Sequence, residues 1–95
     1  MEPIEQEFAA KGIIRGGLIL LRAQDALGMV RRCREEVIEV LGLDGFRLTE
    51  QTTQPLMEQS IDLTKPGNGD SWARAESFLA DRVDRDFYFE VVIDT

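Results

Sequence analysis

The sequence contains no histidine and a single cysteine, Cys33. Without histidine the Ser-His-Asp and Cys-His nucleophile systems are excluded, and so is the side chain most often used for proton transfer near neutral pH. A lone cysteine makes no internal disulfide, and with no histidine beside it the usual zinc sites cannot be assembled. The apolar runs Leu18–Leu21 and Val91–Ile93 are far shorter than the ~20 residues that cross a bilayer. Cations are scarce as well: 11 Lys and Arg stand against 18 Asp and Glu, giving a formal net charge of −7 and a pI near 4.5. That balance repels phosphate backbones, so nucleic acid is not expected as a partner. The acidic stretch MEPIEQEF lacks the basic and apolar segments of a secretory signal, and a cytoplasmic location away from membranes is expected.

What remains is ordinary globular material. Hydrophobic residues make up 43% and charged residues 31% of 95 positions, enough for one domain that buries somewhat over ~60% of its unfolded surface. Ile4 and Phe8 lie one helical turn apart behind Pro3, with Gly12 following, and predict a short N-terminal helix. The run Ile13–Leu21 is apolar and β-branched. It reads as one strand, bent or bulged at Gly16-Gly17. Residues 24–41 carry an apolar stripe of Ala26, Val30, Cys33, Val37 and Leu41, which predicts a long helix ended by Gly42.

Beyond Asp44-Gly45, alternation at Phe46 and Leu48 predicts a second strand through Thr53. Pro55 then interrupts before a third, LMEQSIDL, ending near Leu63. The segment KPGNG is a loop, Asp70 or Ser71 can cap the next helix, and Trp72, Ala75, Leu79 and Val83 form its stripe. The closing run DFYFEVVID alternates Phe87, Phe89, Val91 and Ile93 with Tyr88, Glu90, Val92 and Asp94, a two-faced strand.

The order strand, helix, strand, strand, helix, strand is the ferredoxin-like βαββαβ pattern, an α+β fold with two helices on one face of an antiparallel sheet. If the helices cover the face of Phe89, the other face shows Tyr88 and Val92 with either Ile19 and Leu21 or Leu18 and Leu20. An apolar patch of that kind is seldom left wet on a monomer. A homodimer is therefore expected, with Ile19, Leu21, Tyr88 and Val92 as interface candidates.

Candidate chemistry is thin. Asp81, Asp84 and Asp86 have neither the spacing nor the glycine of a calcium loop and read as a solvated helix end. Gly12, Gly16 and Gly17 lack the Lys-Ser/Thr of a phosphate loop. Gly67 and Gly69 around Asn68 suit a loop, Trp72 belongs to a helical stripe, and Cys33 lies mid-stripe and should be buried and unreactive. No catalytic residue, metal or cofactor is expected.

One local pattern stands apart. Asp25-Ala26-Leu27-Gly28-Met29-Val30 resembles the strand-to-helix junction of ACT domains, usually Asp-x-Pro-Gly-x-Leu/Val, with Leu27 where the proline would be. ACT domains are βαββαβ modules that commonly bind amino acids or other small effectors at subunit interfaces. The resemblance implies a non-enzymatic small-molecule module with Asp25 and Gly28 at the ligand. Two alternatives stay open. A dimeric α+β barrel enzyme would place Arg15, Tyr88 and Glu90 in its cavity, although these form no recognised catalytic set. An acidic inhibitor or antitoxin-like protein would dock its apolar patch on another protein. Arg15 and Tyr88 thus join Asp25 and Gly28 as ligand-binding candidates. Val92→Asp is expected to split a face-to-face dimer and spare an edge-paired one, read as subunit count by native mass spectrometry. No change in assembly, stability or partner binding would overturn the idea of a covered second face.

Overall fold

The computed structural model describes residues 3–67 and 69–94; Asn68, in the middle of the predicted loop, lies outside them. The elements run α1 (Pro3–Ala9), β1 (Ile13–Arg15), β2 (Leu18–Arg22), α2 (Ala23–Glu35), β3 (Val40–Leu48), β4 (Thr53–Asp62), α3 (Ser71–Ala80) and β5 (Tyr88–Ile93). All strand pairings are antiparallel, in the order β1-β2-β5-β3-β4. The fold is α+β, but the strand order departs from the ferredoxin-like one. In that pattern the slot between the first and second strands of the βαββαβ series is filled by the third. Here β5 fills the slot between β2 and β3, and β4 goes to the outer edge.

The side chains account for this choice. On β5, Phe89, Val91 and Ile93 are buried and Tyr88, Glu90 and Val92 half-buried, so both faces suit an interior position. By contrast β4 is largely exposed and carries Pro55, which cannot donate to a ladder and is tolerated at an edge. The crossovers β2-α2-β3 and β4-α3-β5 run in opposite directions across the sheet. Sharing one hand, as such connections do, they put α2 and α3 on the same face. Between these helices and the sheet lies the core of Leu21, Val30, Cys33, Val40, Leu43, Leu79 and Phe89, joined by Ile4 and Phe8 from α1.

Three local expectations are corrected. Ile13–Leu21 is a hairpin, because Gly16 and Gly17 both have positive φ (56° and 82°) and close the two-residue turn that matches strand twist; Arg15 pairs with Leu18 and Ile13 with Leu20. The long helix stops at Glu35, well before Gly42, which instead lies inside β3 opposite Val92 and Asp62. Its end is a Schellman closure, in which Val37 N–H donates to Arg34 carbonyl (3.1 Å) and Ile38 N–H to Cys33 carbonyl (2.8 Å). Thr49–Thr52, expected within a strand, is the turn between β3 and β4, closed by Thr49 N–H donating to Thr52 carbonyl at 3.0 Å.

At the other helix the sequence reading holds at its start and fails at its end. Asp70 accepts from Ala73 N–H at 2.7 Å and caps α3, and that hydrogen bond holds the Asp70 carboxyl below its ordinary range. Trp72 packs on the core and donates its indole N–H to Ile38 carbonyl at 2.8 Å. Val83 lies beyond the helix end and is exposed.

The Schellman closure carries a cost. Val37, 77% exposed, holds φ 56°, a conformation that a β-branched residue adopts only under strain. Val37→Gly should raise stability by roughly 0.5–1 kcal/mol, strain relief outweighing the entropy glycine loses on folding. Urea denaturation should show a higher midpoint at unchanged slope.

Candidate functional site

The second face of the sheet, away from α2 and α3, is where function was anticipated, and register assigns its residues. Leu21 pairs with Phe89 and Leu43 with Val91 on the helix side. Phe46 with Tyr88, Asp44 with Glu90 and Gly42 with Val92 therefore lie on the second face. Alternation along β2 adds Leu18 and Leu20 to that face. Ile19 and Leu21, expected as interface candidates, are instead buried in the core beneath the helices.

The chain covers half of this face itself. β2 stays paired with β5 only through Leu21 and Arg22. The hairpin then reaches across, so that Arg15 donates to the Thr52 carbonyl (2.8 Å) and the Thr53 hydroxyl (3.3 Å) at the start of β4, the opposite edge strand. Leu20 is fully buried, and Phe46 and Leu56 are buried as well, all three outside the main core cluster. Arg15 is thus a clasp holding the two edges together.

The uncovered half is built by an irregularity. Where β3 spends one residue, Asp44, between the pairs Leu43–Ile61 and Gly45–Leu56, β4 spends four, Met57–Ser60. Ser60 ties the bulge down by accepting from Gly45 N–H (3.0 Å) and donating to Leu56 carbonyl (2.8 Å). Only glycine fits at position 45, since a Cβ there would sit 2.3 Å from Gln59 carbonyl oxygen. Gln59 in turn accepts from Arg82 (2.8 Å), whose guanidinium lies 3.7 Å above the Phe78 ring.

Met57 is left 84% exposed at the crest, above a groove of about 330 Å³ whose lining includes Gly42, Asp44, Met57, Ser60, Asp62 and Val92. Asp44 and Glu90 face each other across this surface, a like-charge cross-strand pair. Burial, then the carboxylates of Asp44 and Glu5, push the Glu90 carboxyl above its ordinary value. Asp62 is held below its ordinary range by Thr64, whose hydroxyl (2.6 Å) and N–H (2.9 Å) donate to it.

The remaining candidates separate. Gly28 sits under Phe8 of α1, with 3.4 Å between the ring and the place a Cβ would take, so the residue lets α1 pack onto α2. Asp25 lies in the first turn of α2, half-buried. Glu7 locks α1 to α2 through two bonds from Arg32 (3.0 and 3.1 Å), which lower the Glu7 carboxyl and raise the guanidinium. Tyr88 stands at the far end of the second face, with the Arg22 guanidinium 5.3 Å from its ring centre and Arg22 bonded to Asp86 at 2.9 Å. Asp25 and Gly28 lie on α2 and Tyr88 on β5, and none of the four described grooves is lined by two of them. Cys33 is buried, and burial pushes its thiol up to about 11, leaving it protonated and inert near neutral pH.

Among the described residues, no three carboxylate or thiol groups are placed to hold a metal ion, and no helix is long and apolar enough to cross a membrane. Sequence reasoning missed Met57, Asp44 and Ser60, because the bulge that gathers them depends on a register slip between two strands. Asp44-Gly45 reads in the sequence as a turn before the second strand; it lies instead inside β3, where the bulge opposite requires the glycine.

A folded-state pKa raised above the ordinary carboxylate value of 4.5 means that the native state binds the proton more tightly. The Glu90 contribution is therefore fully present below about pH 4.5 and lost as pH rises through the folded value. Glu90→Gln should stabilise the protein at pH 7 by roughly 0.2–1 kcal/mol, the range for relieving a cross-strand like-charge pair. The advantage should vanish below about pH 4, as measured by denaturation across pH. Comparison of the chain with models of known protein families and with curated proteins gives no match.

Proposed function

We propose that this protein is a non-enzymatic interaction module, an acidic inhibitor- or antitoxin-like protein that docks a basic protein surface on the uncovered half of its second sheet face. Met57 carries this reading: an unbranched apolar side chain held out in solvent by a pinned bulge, with carboxylates beside it. Methionine is enriched where proteins meet proteins, and its flexible thioether adapts to varied surfaces. Around it, Val92 and Ile61 supply apolar lining, while Asp44 and Glu90 supply unrelieved negative charge. A partner Lys or Arg seated between those two carboxylates would remove their repulsion, and the net charge of −7 would speed encounter with a cationic protein at low salt.

A homodimer through the same face is the weaker alternative. Its original motive was a wholly bare apolar sheet, and the hairpin already buries Leu20 and Phe46. Two copies meeting there would also bring the Asp44–Glu90 pair against itself.

Affinity capture from the source cell, comparing the wild type with Met57→Asp and Asp44→Lys, tests the proposal. The expected result is a stoichiometric partner of basic pI that both variants lose, with an association rate that falls several-fold as salt rises from ~20 to ~200 mM. Equal recovery on all three proteins, or self-association alone, would overturn it.

A further inference from the structure

We infer that the opposite end of the sheet holds a second, independent site, for a small oxyanion carrying a flat apolar group. A groove of about 420 Å³ runs round the end of β3 and the start of β5, lined by Arg47, Thr49, Arg85, Phe87 and Tyr88, with Leu48 and Asp86 completing it. The volume falls within the ~300–1,000 Å³ range of small-molecule clefts. Two features mark it out on a chain with 7 more acidic than basic residues.

The first is charge. Arg47 and Arg85 both line the groove, and among the described residues neither guanidinium makes a hydrogen bond or ion pair. Most of the other arginines are engaged: Arg15, Arg22, Arg32, Arg34, Arg74 and Arg82 all have partners. Asp86, the one carboxylate in the lining, is neutralised by Arg22 at 2.9 Å. The groove is thus a local positive site, and two guanidinium forks suit the oxygens of a carboxylate or phosphate.

The second is rigidity. Thr49 and Thr52 hydroxyls bond each other at 2.6 Å, and Thr49 Oγ1 accepts from Gln51 and Thr52 N–H. Arg15 clamps the Thr52 carbonyl from the hairpin. Across the groove, Arg85 N–H donates to Arg82 carbonyl at 3.0 Å, fixing the backbone from which its side chain extends. Fixed walls with unengaged cations limit the ordering that a ligand must impose. Tyr88 and Phe87 offer aromatic surface for a ring attached to the anion.

The full-length chain should be titrated with inorganic phosphate, benzoate and adenosine monophosphate, followed by amide NMR shifts. The ringed anion should bind in the ~0.1–1 mM range, with shifts centred on Thr49, Arg85 and Tyr88. Arg47→Ala with Arg85→Ala together should weaken it at least tenfold. Arg31→Ala removes another exposed arginine, on α2, that also lacks a partner among the described residues, and should change nothing. Benzoate outbinding adenosine monophosphate, both of them ringed, would assign the anion as a carboxylate, and the reverse as a phosphate; both outcomes support the site. No saturable binding at ~10 mM, or equal weakening by Arg31→Ala, would overturn it. Equal affinity for adenosine monophosphate and inorganic phosphate would overturn the flat group.

Discussion

The slot between β2 and β3 can hold only one strand, and β5 takes it. Phe89 is the centre of that arrangement: fully buried, it lies beside Leu21 on one side and Gly45 on the other, and its ring meets that of Phe78 from α3 in a T-shaped pair with centroids 6.2 Å apart. Burying a phenylalanine contributes about 2–3 kcal/mol. Its larger effect here is topological, because in the central slot β5 pairs its backbone on both edges and sets Phe89, Val91 and Ile93 over the middle of the core. Once β5 is inside, β4 must be an edge, and an edge strand is free to depart from regular pairing.

That freedom produces both surfaces of interest. At the edge, β4 bulges by three residues against β3, lifting Met57 out of the sheet while Ser60 pins the base of the lift to Gly45 and Leu56. At the other edge β2 leaves β5 after two paired residues, and the Gly16-Gly17 hairpin swings across the second face until Arg15 reaches Thr52. Bulging and curling are common ways for natural sheets to blunt edges that would otherwise recruit another strand. The same devices leave one half of the second face dry and the other half open and acidic.

Electrostatics divides the molecule along the same line. Near the bulge, Asp44 and Glu90 oppose each other as like charges, and among the described residues no cation is paired with either. Around the Thr49–Thr52 turn and the start of β5, arginines gather, some as clasps and two with no partner among the described residues. A strongly acidic total therefore conceals an uneven charge distribution, with opposed carboxylates toward one end of the sheet and arginines gathered at the other.

Much of the local structure was legible in the sequence. Periodicity marked both long helices, though not where they end, and the closing strand; Asp70 was one of two candidate caps, and the mid-stripe position of Cys33 foretold its burial. These are properties of neighbours along the chain, where a 3.6- or 2-residue repeat fixes which side chains share a face. What the sequence could not determine was which strand lies beside which. The ferredoxin-like order and the observed one use the same elements in the same succession, and differ only in whether the third or the last strand fills one slot. The faces of Ile19 and Leu20, the clasp of Arg15 on Thr52 and the exposure of Met57 all follow from that choice. Tertiary structure decided them because non-local pairing is settled by competition among whole strands for a two-sided interior, a comparison that no local pattern contains.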